Sequence, residues 1–198
     1  PQYPGEYGPI TILASDGGED GIQPATQEIY ILVIPYMDIV IMDWSFSSKA
    51  NLISYLGIPG DSTIQTVLGS LGDDVHSIIG EGNAAIQTDD GTWMGSLQII
   101  EPTSGYWLII DGEEPVDPPV SYSIEAYPTD PFIIYDLDVG ANLISYVGTD
   151  GVEIGEAIPD DIENHITGII SAGVAAIQMD DGTWMGSLQN WNVLKGYW

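Results

Sequence analysis

The chain has 198 residues, of which 30 are Asp or Glu and two are Lys or Arg, so its formal net charge at pH 7 is −28. Binding to nucleic acids or to anionic membrane surfaces requires Lys and Arg, and this charge excludes both functions. Hydrophobic residues make up 44% of the chain, which is enough to build a folded core. No apolar run is long enough to span a bilayer.

Cysteine is absent, which excludes disulfide bonds and thiolate metal sites. The sequence starts at Pro1 without a basic, apolar signal segment, and we interpret it as a processed mature chain or as a sequence that does not begin at a gene start. Lys49 and Lys195 are the only basic residues, so proteases specific for Lys and Arg have few sites to cut. Together with an acidic, self-repelling surface, this favours an extracellular location, and a salt-adapted cytoplasmic protein is the alternative interpretation of the charge.

At the N-terminus, residues 1–26 are predicted to form an extended arm. It contains one β-type run, residues 9–14, between glycines and an acidic segment. Nothing in the arm itself offers that run a partner strand. We therefore interpret residues 9–14 as a candidate donor strand, whose inserted residues would be Ile10, Thr11, Ile12 and Leu13.

The strongest feature of the sequence is an internal repeat, because residues 50–107 recur as residues 141–198 without a gap. The two segments share 28 identical residues among 58 positions, which indicates a duplicated folding unit. We call them the first and the second repeat. β-branched and aromatic residues upstream of each repeat, at 28–46 and 121–139, predict hairpins.

Within the first repeat we predict strands at 51–56, 76–79, 84–88, 92–97 and 106–110. Asp90-Gly91 marks a hairpin turn between two of them. The spacing of Ile64, Val67, Leu68 and Leu71 predicts a short amphipathic helix over 62–71, capped by Asp61 or Ser62. In the second repeat Pro159 is expected to end this helix early.

These elements predict a mostly β fold of the β-rich α+β class, in which each of two small domains is a sheet or sandwich with one short helix. Residues 27–111 would form the first repeat domain and residues 120–198 the second. The acidic, Pro-rich segment 112–119 would be an extended linker between them.

The repeated residues Asn-Leu-Ile-Ser, Asp-Gly-Thr-Trp-x-Gly-Ser-Leu and Gly-Tyr-Trp resemble a tandem module of secreted bacterial surface proteins. In such proteins the modules serve as units of a stalk or fibre. The resemblance covers about 58 residues of each copy. It implies secretion and a structural role, and it brings neither a catalytic residue nor a ligand.

The two repeats continue differently after Gly-Tyr-Trp, since Leu108-Ile109-Ile110 follows only the first. We therefore expect the second sheet to leave an open edge lined by Tyr197 and Trp198. The arm of another molecule would add its strand there, giving a head-to-tail homopolymer, a helical filament. In the alternative, Ile10–Leu13 pairs with the edge of its own first domain.

Acidic clusters offer oxygen ligands for Ca²⁺, and the candidate ligands are Asp16, Asp20, Asp136 and Asp138. None of the clusters has the spacing of an EF-hand loop, and solvated turns are the alternative interpretation. No Asn-x-Ser/Thr sequon occurs, so glycosylation would have to be O-linked.

No catalytic residue is predicted, and we do not expect an enzyme. His76 and His165 are not equivalent under the repeat, and no nucleophile motif is present. The alternative function is a secreted carbohydrate-binding or adhesion module that uses exposed Trp and Tyr. Because Trp93 and Trp184 recur in the repeat they are expected in the cores, whereas Trp44 and Trp191 are the candidates for exposure.

Overall fold

The computed structural model describes the backbone of residues 5–14 and 25–33 and the whole of residues 39–198. These parts of the chain are mostly β, with antiparallel sheets and few short helices, which confirms the predicted fold class. The chain divides into two compact units, Pro1–Met37 and Asp38–Trp198.

In chain order the strands are β1 (Gly5–Ala14), β2 (Ala25–Val33), β3 (Val40–Phe46), β4 (Ala50–Ser54), β5 (Gly57–Ile58), β6 (Val75–Ile79), β7 (Ala84–Gln87), β8 (Trp93–Gly95), β9 (Gly105–Ile110), β10 (Val120–Pro128), β11 (Gly168–Ser171), β12 (Val174–Gln178) and β13 (Trp184–Gly186). The helices are α1 (Ile64–Val67), α2 (Ile154–Ala157) and α3 (Asp160–Glu163), with a 3₁₀ helix at Gly69–Asp74.

In the N-terminal unit β1 and β2 form an antiparallel pair. Ile10 lies opposite Ile29 and Leu13 opposite Thr26, and the register shifts between Tyr7 and Ile10. The predicted donor strand is thus paired within its own chain, with residues that lie mostly inside the predicted first repeat domain. The predicted boundary between residues 26 and 27 falls inside β2.

The first repeat forms a five-stranded antiparallel sheet in the order β4-β9-β6-β7-β8. The predicted hairpin turn joins β7 to β8, where the Thr88 N–H donates to the Thr92 carbonyl oxygen. Gly91 has a φ of 78° in this turn, a conformation that favours glycine over other residues. All five strands predicted for this repeat are present, and their ends lie within two residues of the predicted ones.

The helical segment of the first repeat is more broken than predicted. α1 spans four residues, with Thr63 as its N-cap instead of Asp61 or Ser62. The following 3₁₀ helix has non-helical φ and ψ at Gly72, because the chain must turn there into β6. In the second repeat α2 ends at Ala157, shortly before Pro159 as predicted.

The second repeat builds a smaller version of the same sheet, in the order β11-β12-β13. Trp198 extends it, since Ile170 and Trp198 exchange two backbone hydrogen bonds of 2.8 Å. In the first repeat the equivalent residues, Ile79 and Trp107, are paired between β6 and β9. The sheet of the second repeat therefore continues into Trp198 through its own chain.

β3 and β10 pair along seven residues, from Val40 opposite Ala126 to Phe46 opposite Val120. Because β10 is the strand that leads into the second repeat, this pairing departs from the predicted domain boundary at residue 120. The segment that leads into the second repeat completes the structure of the first. Its side chains enter the larger of two hydrophobic cores through Tyr122 and Ala126.

The two cores belong to the two repeats. The first contains buried side chains of both the repeat and the β3–β10 pair, among them Met42, Phe46, Tyr55, Leu68, Ile78, Leu108 and Tyr122. The second is smaller and consists of Ile154, Ile158, Ile169, Ala176, Leu188, Trp191 and Tyr197. Residues 38–198 thus form one compact unit around two adjacent cores.

Candidate functional site

The two repeats are joined by short strand pairings that are related by the repeat itself. Ile53 of the first repeat bridges Lys195 of the second, and Ser104 of the first bridges Ile144 of the second. Under the repeat, Ile53 corresponds to Ile144 and Ser104 to Lys195. The same two segments therefore contact each other twice, in exchanged roles, as in an isologous dimer.

Two equivalent glycines allow this close approach. A methyl group on Gly105 would lie 2.8 Å from the Ile144 carbonyl oxygen and 3.1 Å from the Cα of Gly196. A methyl group on Gly196 would lie 2.9 Å from the Ile53 carbonyl oxygen. The first residue of the repeated Gly-Tyr-Trp sequence is glycine because the backbones of the two repeats meet there.

Both predicted acceptor residues are used inside the second repeat. Tyr197 is 1% exposed, and the Asn192 N–H donates to its hydroxyl oxygen at 2.6 Å. Its backbone bonds to Ile144, and that of Trp198 bonds to Ile170. The predicted open edge at these residues is filled by the chain's own strand pairing. The predicted donor residues Ile10, Thr11, Ile12 and Leu13 lie in β1, opposite β2.

An exposed apolar segment of residues 39–198 follows β10. Phe132 is 77% exposed, Ile134 82% and Leu137 45%, and Val139 is fully exposed. This segment, residues 131–139, belongs to no strand. Its β-type sequence predicts one half of a hairpin, but no strand of the described residues pairs with it.

An apolar cleft of about 600 Å³ lies at the start of this segment. Its lining includes Ile58, Ile99, Tyr127 and Ile133, and of these Tyr127 is 54% and Ile99 46% exposed. Soluble chains rarely leave such side chains together in water unless they contact a partner. Ile133 is the residue of the exposed segment that lines this cleft.

The acidic candidates for a cation site are dispersed. Asp136 and Asp138 are exposed, and the Asp138 N–H donates to the Asn142 side-chain oxygen. Asp16 and Asp20 lie outside the described residues. In the described parts of the chain, no three Asp, Glu, His or Cys side chains are close enough together to hold a metal ion.

Three exposed aspartates carry structural hydrogen bonds in turns. Donation from the Thr66 hydroxyl lowers the pKa of Asp61, and donation from the Thr88 hydroxyl lowers the pKa of Asp90. Donation from the Thr183 hydroxyl lowers the pKa of Asp181 in the same way. The Asp-Asp-Gly-Thr motif of each repeat is thereby explained as a turn, with the carboxylate bonded to the threonine two residues away.

Buried tyrosines show the opposite effect. Burial raises the pKa of Tyr122 to about 12, and its hydroxyl donates to the Val67 carbonyl oxygen at 2.6 Å. Burial also raises the pKa of Tyr55. Both rings pack with Trp44, so an aromatic cluster holds β10 against the first core.

The tryptophans do not form an exposed aromatic platform. All six lie within residues 39–198, and none of them is exposed. Trp191, expected at the surface, is 5% exposed and stacks on Tyr146 with ring centroids 4.9 Å apart, because it fills the second core. Trp44, the other candidate for exposure, is half-buried against Tyr122. His76 and His165 are both exposed and lie in different repeats.

No helix in the described parts of the chain combines the length and the apolar character needed to cross a membrane. Comparisons with protein-family models, with curated proteins and with solved structures gave no match to this chain.

Proposed function

We propose that the chain is the structural subunit of an extracellular filament, which it builds by adding strands head to tail to other molecules of itself. The observation that carries this proposal is the β3–β10 pair. Within one molecule, the strand that leads into the second repeat completes the first. The same relation between successive molecules would generate an open array, because each contact uses two different surfaces.

The apolar segment 131–139 supports the proposal, since a head-to-tail contact needs a surface that can accept a strand from another molecule, and this segment offers one. Phe132, Ile134 and Val139 are exposed in this segment, and its Ile133 lines the cleft at Tyr127. Burial of such side chains contributes about 25 cal/mol per Å² of apolar surface. Strand addition also satisfies the backbone groups of the segment, which provides direction as well as affinity.

Charge limits how this assembly can work. Each molecule has a formal charge of −28, so the subunits repel one another over about 10 Å at 0.1 M salt. An apolar contact is therefore needed to hold the polymer together. The same charge keeps unassembled subunits soluble, and the near absence of Lys and Arg removes sites for common proteases. Both properties suit a protein that functions outside the cell.

Electron microscopy and light scattering of the purified chain test the proposal. We expect thin filaments that lengthen with protein concentration and with NaCl between 0.05 and 1 M, roughly the range over which the Debye length falls from above 10 Å to about 3 Å. A chain that stays monomeric at all salt and protein concentrations would overturn the proposal. Filaments seen only after partial unfolding, detected as lost near-UV circular dichroism, would overturn it as well.

A further inference from the structure

Segment 131–137, which precedes the second repeat, is the counterpart of β3, which precedes the first. It lies at the same distance before the repeat, so that Tyr135 corresponds to Trp44. The Trp44 ring N–H donates to the Leu194 carbonyl oxygen, which also accepts from the Ser54 N–H. Tyr135 is hydrogen-bonded to Ser145, the counterpart of Ser54. The two aromatic residues thus occupy matching sites beside matching serines.

β3 and segment 131–137 differ in whether another strand pairs with them. β3 is a strand because β10 pairs with it along seven residues. Segment 131–137 has no strand paired with it among the described residues, and it is not a strand itself. Ile133 and Tyr135 face inward as half-buried residues, while Phe132 and Ile134 are exposed. Exposed and half-buried side chains therefore alternate along this segment as they do along a β-strand, although the segment is not a strand.

One other strand of the chain, β2, has a position and a sequence comparable to those of β10. β2 precedes the first repeat as β10 precedes the second, and the two sequences align when Pro35 is matched with Pro128. Ile29, Ile31 and Val33 of β2 then match the inward residues Tyr122, Ile124 and Ala126 of β10. In the described residues β2 has one strand partner, β1, and a strand has two edges.

We propose that segment 131–137 of one molecule is the acceptor for β2 of another molecule of the same chain, which pairs with it antiparallel as β10 pairs with β3. This inference rests on the proposed function and specifies its contact. The donor is thus β2, delivered in a hairpin with β1, and the acceptor lies after β10 instead of at Trp198.

The β3–β10 register fixes the expected pairing. Met42 lies opposite Ile124, so Ile133 is expected opposite Ile31. Ile41 lies opposite Glu125, which places Phe132 opposite Leu32. Asp43 lies opposite Ser123, which places Ile134 opposite Tyr30. On the outer face, the Ile41–Glu125 and Asp43–Ser123 pairs of the internal contact are replaced by two apolar cross-strand pairs, which accounts for the exposed Phe132 and Ile134.

Disulfide trapping tests the register directly, because the chain has no cysteine of its own. Ile31→Cys is introduced in one batch and Ile133→Cys in a second batch of different mass, and the two are mixed and oxidised at native salt. A cross-link between the two batches is expected. Ile31→Cys mixed with Ile170→Cys is the control, since Ile170 is 56% exposed and lies in β11, which is not expected to pair with β2.

Lysine substitutions at equivalent positions before the two repeats give the second measurement. Phe132→Lys is expected to raise the critical concentration for polymerisation about tenfold or more, because an apolar pair is lost. Ile41→Lys is its matched control, since Ile41 is the equivalent residue of β3 and is 62% exposed. The control is expected to polymerise like the unmodified chain, and circular dichroism verifies that both variants fold.

The outcomes of these experiments distinguish failure of the proposed β2 contact from failure of the proposed filament. Filaments that form normally from Phe132→Lys, or that give no Ile31–Ile133 cross-link, overturn this contact and leave the proposed filament standing. An internal disulfide in a monomeric chain carrying both cysteines also overturns it, since β2 would then cover its own molecule. An unmodified chain that never polymerises overturns the filament and the contact together.

Discussion

Ile53 and Lys195 lie opposite each other in an antiparallel bridge that joins the first repeat to the second. The bridge between Ser104 and Ile144 repeats this relationship with the two repeats exchanged. An arrangement of this kind is typical of two-fold symmetric dimers, and here it is found within one chain. The duplication therefore produced a paired unit instead of two independent domains on a linker.

The closeness of the two backbones predicts that Gly105→Ala and Gly196→Ala each destabilise the protein by about 1–3 kcal/mol, the usual cost of overpacking. The added methyl groups would press on carbonyl oxygens of the opposite repeat. Gly60→Ala is the control, because a methyl group there meets no atom within 4 Å. Urea unfolding measures the differences, and equal midpoints for all three variants would contradict the prediction.

Local features of the fold were predictable from the sequence, and pairings over long distances were not. The Asp90-Gly91 turn and the helix end before Pro159 follow from residues within a few positions of each other. The β3–β10 pair joins residues about 80 positions apart. Alternating apolar residues show that a strand can form, but they do not select its partner.

The segment 131–139 illustrates the same limit at the candidate site. Its sequence resembles that of a strand as much as the sequence of β3 does, and it was interpreted accordingly. A strand exists only where a second strand satisfies its backbone groups, so its β-type sequence alone was not sufficient. Phe132 and Ile134 are exposed because β10 pairs with β3 instead of with this segment.

Trp93 and Trp184 form a matched pair for measuring one hydrogen bond. The Trp184 ring N–H donates to a Glu163 carboxylate oxygen at 2.8 Å, whereas the buried Trp93 ring N–H has no partner among the described residues. Phenylalanine at either site removes a similar volume. We expect Trp184→Phe to cost about 1 kcal/mol more than Trp93→Phe in chemical unfolding. An equal cost at both sites would show that the Glu163 bond contributes nothing.

Alkaline pH is expected to unfold the first core through Tyr122. Burial raises its pKa from 10.0 to about 12, so the folded state holds the phenol proton more tightly than the unfolded state. The resulting stability is fully present below pH 10 and is lost as the pH rises towards 12, and it amounts to roughly 3 kcal/mol for a shift of about two units.

Tyr122→Phe measures this contribution. The variant lacks the bond to the Val67 carbonyl oxygen, so it starts less stable at neutral pH. Its free energy of unfolding should then fall less steeply between pH 10 and 12 than that of the unmodified chain. Burial also raises the pKa of Tyr55, so some alkaline sensitivity is expected to remain in the variant. Parallel pH curves for the two proteins would rule out the role of Tyr122.

Acidification is expected to act on the turns and on assembly in opposite directions. The lowered pKa values of Asp61, Asp90 and Asp181 mean that their bonds stabilise the fold above about pH 4, and that this stability is lost as the pH falls through the lowered values. Neutralising carboxylates also reduces the charge of −28 that separates the molecules.

Assembly should therefore strengthen as the pH is lowered from 7 towards 4, before the turns weaken. Light scattering at constant ionic strength measures the critical concentration, and circular dichroism on the same samples monitors folding. Phe132→Lys distinguishes specific assembly from acid precipitation, because its added lysine also lowers the net negative charge yet removes the apolar contact. If this variant gains scattering at low pH as strongly as the unmodified chain, reduced repulsion alone explains the effect and segment 131–137 is not the contact.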